Sequence, residues 1–171
     1  MLMKLNTIVA ICFIAFLSFS CGGGKTKTFT LNNIEFAYEG PLYEGSNPAQ
    51  VVVAVDLKSI FQDEFKEGMS VDHATLKKAE ISPGDSTGFE GISALVLSLA
   101  GDNEDLKMQE LAVINPIQAK AQSAVLSPSA EADATGFFNE KQFYLVLDAT
   151  LAKDLESSIK LKGNFEFELK Y

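Results

Sequence analysis

The chain has 171 residues and a formal net charge of −9, with 23 acidic residues against 14 basic residues, all of them lysine. Nucleic acid is therefore a poor partner, because phosphate binding needs clustered positive charge. The absence of arginine removes the usual bidentate clamp for anionic ligands. With one histidine and two cysteines, the chain offers few of the nitrogen and sulfur ligands that zinc, copper and haem sites use, so no such site is expected.

The first 20 residues have the parts of a secretory signal peptide. Lys4 supplies the positive charge, residues 8–19 form an apolar stretch, and Ser18 and Ser20 are small residues near a cleavage point. The apolar stretch is shorter than the roughly 20 residues that a spanning helix needs. The sequence therefore predicts a signal peptide over residues 1–20.

Cys21 directly follows this segment and precedes a run of three glycines. Residues 17–21 resemble the lipobox of bacterial lipoproteins in its relaxed, Bacteroidota-type form, with Ser18 at the position where leucine is usual. The resemblance implies that Cys21 is acylated and begins the mature protein, and that the glycines form a flexible leash. The alternatives are a cleaved signal that ends near a cysteine by chance, or an uncleaved anchor helix.

The residues after Cys21 bear on location through the same resemblance. Gly22 differs from the aspartate of inner-membrane retention signals, and Lys25 and Lys27 differ from the acidic surface-export signals of Bacteroidota-type lipoproteins. The resemblance therefore implies the outer membrane, with the domain facing the periplasm. We expect a signal peptide over residues 1–20, the lipidated cysteine and its leash over 21–28, and one domain over 29–171.

The domain is predicted to form short strands, because apolar and polar residues alternate along most of it. Residues 29–38 are extended but change phase at Asn32 and Asn33, where we expect a bulge or bend. Further strands are predicted over residues 51–57, 71–81, 92–100, 106–114, 119–126, 143–147 and 159–171.

The last strand shows the clearest alternation. Phe165, Phe167 and Leu169 are separated by Glu166 and Glu168, so the three apolar side chains should point into a core and the two carboxylates into solvent. A bend or bulge could also form at residues 163–164.

Three segments have helical rather than strand spacing, at residues 57–65, 133–140 and 151–156. Seven to eight antiparallel strands with one or two short helical turns predict an all-β fold, built as a β-sandwich. The region over residues 88–171 resembles the immunoglobulin-like and late-embryogenesis-abundant-like sandwiches of small periplasmic lipoproteins. The expected architecture is therefore immunoglobulin-like.

His73 is the one residue that could act as the base of a Ser-His-Asp triad. Its neighbour Asp72 is a poor orienting partner, because adjacent residues on a strand point to opposite faces. The acidic run over residues 102–105 lies in a predicted turn and lacks the calcium-loop pattern. We therefore expect no catalytic, cofactor-binding or metal-binding residue, and no enzyme; Cys21 is the single predicted modification site.

Phenylalanine is frequent, with 13 residues in the chain. Phe61 and Phe65 lie on a predicted helical turn, and Phe137 and Phe138 lie outside any clean strand pattern. We expect these four side chains to fill the core and anchor loops. The alternative is an exposed aromatic patch that docks a partner or an acyl chain.

These observations predict a non-catalytic, lipid-anchored envelope protein. Its expected contacts are the membrane, through Cys21, and another envelope protein; no cofactor is expected. The second hypothesis is a carrier or sensor for a small apolar ligand such as a lipid, which requires a cavity between the sheets. The third is a small hydrolase that uses His73 or a pair of carboxylates.

Overall fold

The computed structural model describes residues 24–85 and 88–171. Within these ranges the chain forms eight strands and two short α-helices, with a 3₁₀ turn over Gln62–Glu64. The elements are β1 (Thr26–Tyr38), β2 (Gly45–Ala54), α1 (Leu57–Phe61), β3 (His73–Pro83), β4 (Ile92–Ala100), β5 (Gln109–Ile114), β6 (Ala124–Pro128), α2 (Thr135–Phe138), β7 (Gln142–Leu151) and β8 (Ile159–Lys170). The predicted all-β fold is confirmed.

The strands form one continuous antiparallel order, β1-β8-β3-β6-β5-β4-β7-β2. β6 joins two layers, because it pairs with β3 on one side and with β5 on the other. The end strands β1 and β2 contact each other. The sheet therefore folds over on itself into a sandwich-like body, with one layer of β1, β8 and β3 and another of β5, β4, β7 and β2.

The core lies between the two layers and is filled by leucine and phenylalanine. Its most deeply buried strand residues include Leu95, Leu97, Leu99, Phe143, Leu145 and Leu147, all with no exposed side-chain area. The ring of Phe138 packs against three other rings at one end of this core. Its centroid lies 5.5 Å from that of Phe29, 5.3 Å from that of Phe143 and 5.2 Å from that of Phe167. Helix α2 therefore serves to insert an aromatic side chain between the layers.

The predicted faces of the last strand are confirmed. Phe165, Phe167 and Leu169 are at most 2% exposed, whereas Glu166 is partly exposed and Glu168 is exposed. The strand has this pattern because successive side chains on a strand point to opposite sides of the sheet.

The change of phase in β1 is a β-bulge, as expected. Leu31 pairs with Phe165 and Ile34 pairs with Gly163, so Asn32 and Asn33 together oppose one residue of β8. Asn33 adopts a φ of 56°, a conformation that asparagine tolerates better than most residues. The bulge restores the phase of the alternation, so that Ile34 and Phe36 continue the inward face.

Three segments differ from their predicted structure. The strand predicted over residues 51–57 is β2 at Gly45–Ala54, and Leu57 begins α1 instead. The strand predicted over residues 119–126 is β6 at Ala124–Pro128. It begins later because the backbone groups of Ile117 and Ala119 form hydrogen bonds with those of Ser93 and Phe89, outside the sheet ladder. The helical turn predicted over residues 151–156 is not formed there. Leu155 exchanges two backbone hydrogen bonds with Leu42, of 2.8 and 2.9 Å, and such long-range pairing overrides a weak local preference for helix.

Candidate functional site

Both ends of the described chain lie at the same end of the sandwich. Thr26 at the start of β1 pairs with Lys170 at the end of β8, and the backbone N–H of Tyr171 donates to the carbonyl of Lys25 at 3.0 Å. We call this end, which also carries α1 and α2, the terminal end. The loops that follow β1, β3, β5 and β7 lie at the opposite, distal end.

The carboxylate of Glu64 fastens the start of β1 to the end of β8. It accepts hydrogen bonds from the Lys25 ammonium at 2.9 Å and from the Tyr171 hydroxyl at 2.8 Å, and Lys27 lies 4.0 Å away. The bonds from Lys25 and Tyr171 hold the pKa of Glu64 below its ordinary value. These surface contacts add to the backbone pairing of Thr26 with Lys170 and of Tyr171 with Lys25, which places the entry of the chain into the sandwich at the terminal end.

Cys21, the predicted lipidation site, lies outside the described residues, as does the predicted signal peptide. β1 begins at Thr26, three residues before the predicted start of the domain at residue 29. Within residues 24–85 and 88–171, neither helix has the length and apolar character needed to cross a bilayer.

The structure gives His73 a carboxylate partner that the sequence did not suggest. Nδ1 of His73 lies 3.6 Å from Oδ1 of Asp133, and both side chains are more than half exposed. The Thr135 hydroxyl donates to the same Asp133 oxygen and accepts from the backbone N–H of Ala74 at 2.9 Å. Partial burial would raise the pKa of Asp133, but the bonds from Thr135 and the nearby His73 outweigh it and lower that pKa.

This arrangement differs from a catalytic triad in its order. In a triad the carboxylate orients the histidine, and the histidine contacts the nucleophilic hydroxyl. Here Asp133 lies between the other two groups, so His73 is not placed to take a proton from Thr135. The grouping holds the segment before α2 against the start of β3.

We expect His73→Ala to change the free energy of unfolding by less than about 0.5 kcal/mol, as for most exposed positions. The exposed contact with Asp133 is of the kind that contributes little. Thermal unfolding of the two proteins checks this expectation. A clear loss of a cellular role in a folded, correctly localised variant would instead make His73 a functional group.

In the acidic turn at residues 102–105, the first side chain, Asp102, forms hydrogen bonds within the protein. Asp102 accepts hydrogen bonds of 2.8 Å from the side chains of Gln142 and Tyr144, and these bonds lower its pKa. Asn103 donates to Glu140 at 2.9 Å. In the described part of the chain, no three His, Cys, Asp or Glu side chains converge in a way that could hold a metal ion.

The phenylalanines considered as an exposed patch are mostly core residues. Phe61 and Phe138 have no exposed area and Phe137 is 3% exposed, while Phe65 is partly buried against the core. The Phe61 ring packs on Tyr171 with a centroid distance of 4.4 Å. These four side chains therefore fill the core and anchor the loops at the terminal end, and the expected burial is confirmed.

The main surface pockets of the described residues are open to solvent, with volumes of about 120 to 320 Å³. The 320 Å³ hollow is lined by Asp102, Glu140, Lys141 and Gln142, all of them polar. Ligand pockets usually have volumes of about 300–1,000 Å³ and are lined predominantly by apolar side chains. None of these hollows has the volume and lining that would favour the carrier hypothesis.

The outward side of the layer of β1, β8 and β3 is charged. Lysine and glutamate alternate across its strands, with ion pairs between Lys160 and Glu35 at 2.7 Å and between Lys77 and Glu168 at 2.9 Å. The same side carries three exposed threonines within β1, at positions 26, 28 and 30. This side is a solvated surface.

The outward side of the other layer is largely uncharged, and one line of valines crosses it. The valines come from five neighbouring strands in the order β2, β7, β4, β5 and β6. We call this line the valine stripe; it consists of Val52, Val146, Val96, Val113 and Val125.

The pairing register places these valines next to one another. Val96 lies directly opposite Val113. Val52 is opposite Tyr144 and Val96 is opposite Asp148, so both are diagonal neighbours of Val146, within reach of contact. Three members are exposed: Val52 by 53%, Val113 by 36% and Val125 by 59%.

The residues beside the valine stripe are small or uncharged, with three exceptions. The uncharged ones include Gln50, Ala54, Ala94, Ser98, Ala100, Ser127 and Tyr144. The exceptions are Asp148, Glu110 and Glu80. Glu80 lies directly opposite Val125 and forms an ion pair with Lys78 at 2.9 Å. Asp148 already accepts hydrogen bonds from the Ser46 hydroxyl at 2.6 Å and the Asn47 backbone at 2.9 Å, so its charge is partly satisfied within the face.

Sequence reasoning missed the valine stripe because each valine lies in a different strand. The local signal is weak: an outward position occupied by valine looks ordinary in one strand at a time. Only the register between strands shows that the five positions are neighbours. A hint was present in β4, where nine consecutive residues carry no charge, as in strands that are covered on both sides.

No protein-family model matches the chain, and no curated protein matches it. Among solved structures, the crystal structure of FlhE is 11% identical over 87% of this chain and 99% of that chain, with a TM-score of 0.37. A mud crab tombus-like virus structure is 11% identical over 86% and 89%, with a TM-score of 0.28. At these TM-scores the likenesses assign neither a family nor a function.

Proposed function

We propose that the protein is a non-catalytic, lipid-anchored envelope module that acts by binding another component of the envelope. It is anchored through acylated Cys21 in the outer membrane and faces the periplasm. The lipobox-like segment at residues 17–21 supports the anchor, and the order of His73, Asp133 and Thr135 gives no support to a hydrolase.

The observation that carries the proposal is the fixed entry of the chain into the sandwich. Thr26 opens β1 only five positions after Cys21, and the backbone carbonyl of Lys25 accepts a hydrogen bond from the backbone N–H of Tyr171 at 3.0 Å. Five extended residues reach at most about 18 Å. An acyl group on Cys21 would therefore hold the terminal end close to the membrane surface and direct the distal end away from it.

The anchor is tested by replacing each cysteine in the full-length chain. We expect Cys21→Ser to abolish incorporation of labelled palmitate and to release the protein from sedimented membranes or leave it unprocessed. Cys12→Ser is the matched control, because Cys12 lies within the predicted signal peptide and should leave the labelling unchanged.

Two results would contradict the proposed anchor. Membrane sedimentation of the Cys21→Ser protein without palmitate would place the anchor elsewhere in the chain. Loss of the label in Cys12→Ser but not in Cys21→Ser would move the acylation to the other cysteine.

A further inference from the structure

We infer that the outer edge of β1 at Thr26, Thr28 and Thr30 binds an extended segment of another envelope protein, which adds to the sheet as a further strand. β1 stands at one end of the strand order, and in the described part of the chain it pairs with β8 alone. Its other edge therefore has no strand beside it. The inference rests on the proposed function for the place of the partner, and on the structure for the surface that the partner binds.

The ladder shows which backbone groups of β1 lie on the free edge. The carbonyl of Lys25 accepts a hydrogen bond from the N–H of Tyr171, so the backbone of Lys25 points toward β8. In an antiparallel ladder, successive residues point to opposite sides, so Thr26, Thr28 and Thr30 point away from β8. Among the described residues, the backbone groups of these three threonines have no hydrogen-bond partner. Three donors and three acceptors are therefore available to an added strand.

The space beside this edge is open. A pocket of about 280 Å³ lies there, lined by residues 27–30 of β1 and by Ser59, Ile60 and Gln62 at and just after α1. Neighbouring strands lie about 4.8 Å apart, so an added strand would lie in this pocket, between β1 and α1. Every second side chain of that strand would contact Phe29 and Ile60, which are both partly buried. The other side chains would lie beside the exposed threonines.

The lining of the pocket favours an uncharged segment. Among the described residues that line it, Lys27 alone is charged, and its ammonium lies 4.0 Å from the carboxylate of Glu64. The pocket therefore offers little net charge to a ligand, and a segment of alternating apolar and neutral polar residues fits it best. In strand addition, main-chain hydrogen bonds supply the affinity and contacts with alternate side chains supply the specificity.

The two ends of the strand order differ in their ability to accept a strand. β2, at the other end, has Pro48 near its middle, and a proline on an edge removes an N–H and opposes further pairing. β1 has no proline, and its pairing with β8 is regular from Thr26 to Leu31, before the bulge. The first half of β1 is therefore the edge that remains competent for strand addition.

A second copy of this chain is a poorer occupant of the edge. A two-fold axis perpendicular to the sheet would pair two β1 edges as antiparallel strands. The terminal ends of the two copies would then point in opposite directions, which is incompatible with acyl groups in one membrane surface. A segment of another protein has no such restriction. Because Thr26 lies only five positions after Cys21, that segment is expected close to the membrane surface.

The test measures the binding of a fluorescein-labelled peptide, Thr-Val-Thr-Val-Thr-Val-Thr, to the full-length chain in mild detergent. We expect saturable binding by fluorescence anisotropy. Thr28→Pro should raise the dissociation constant at least about tenfold, because it removes an edge N–H and leaves a peptide carbonyl unpaired. Thr28→Val is the matched control, since it keeps the N–H and should leave the binding unchanged. Melting curves of both variants report folding.

Two methylated peptides provide a second arm that does not require Thr28→Pro to fold. In an extended peptide, the N–H groups of the threonines lie on one edge and those of the valines on the other. N-methylation of all the valines or of all the threonines therefore blocks one edge at a time. One of these peptides should lose binding and the other should retain it, because only one edge of the added strand faces β1.

Three outcomes would overturn the inference: no saturable binding to the unsubstituted chain, equal binding of the two methylated peptides, or full binding by a folded Thr28→Pro chain. Recovery of a differently tagged second copy that the peptide displaces would overturn it as well. The Cys21→Ser chain should bind the peptide normally, because the edge does not depend on the acyl group. A failure of the anchor and a failure of the edge are therefore distinguishable.

Discussion

Phe167→Ala is expected to lower the free energy of unfolding by about 3–5 kcal/mol. Phe167 is completely buried and contacts the Phe138 ring at 5.2 Å. In the sheet it pairs with Phe29 of β1 and Leu76 of β3. Removal of the ring leaves a cavity where two strands and helix α2 meet, and the rigid neighbours can close it only in part.

The neighbouring substitution Glu166→Ala is the control, because it alters the outward side of the same strand. We expect it to change the free energy of unfolding by less than about 1 kcal/mol. A whole domain has only about 5–15 kcal/mol of stability, so the two variants should differ clearly in their urea midpoints. Equal shifts would show that the two faces of β8 are assigned wrongly.

Most of the strand structure could be predicted because it is encoded locally. In β8, Phe165, Phe167 and Leu169 alternate with two glutamates, and this alternation predicts which face is buried. The change of phase at Asn32 and Asn33 likewise marks the bulge in β1 without knowledge of its partner strand. Local periodicity is sufficient wherever one side of a strand faces the core and the other faces water.

The candidate sites could not be predicted, because they depend on contacts between distant segments. Asp133 lies 60 positions after His73 in the chain and reaches it only through the packing of the segment before α2 on β3. The pairing of Leu42 with Leu155 removed a helical turn that its local spacing favoured. The valine stripe requires the register of five strands, and no single strand contains that information.

Gly163→Ala is expected to destabilise the protein, although alanine usually fits a strand better than glycine. The ring of Phe165, two residues further along the same face, folds back over Gly163. A methyl group there would lie 2.6 Å from Cε2 of that ring and 3.2 Å from Cδ1 of Ile81. The ring is also held edge-on against Phe36 at 6.2 Å. Overpacking of this kind costs about 1–3 kcal/mol, measured as the shift in the free energy of unfolding.

A double-mutant cycle identifies the Phe165 ring as the cause. Leucine at position 165 lacks the ring atoms that the new methyl group meets, so Gly163→Ala should cost less in a Phe165→Leu background. Because the two side chains are in direct contact, the two changes should depart from additivity by about 0.5–3 kcal/mol, with the double variant more stable than the sum of the single effects. Additive effects would locate the strain elsewhere. A gain in stability from Gly163→Ala alone would show that the ring moves aside freely and that Gly163 is not required by the packing of β8.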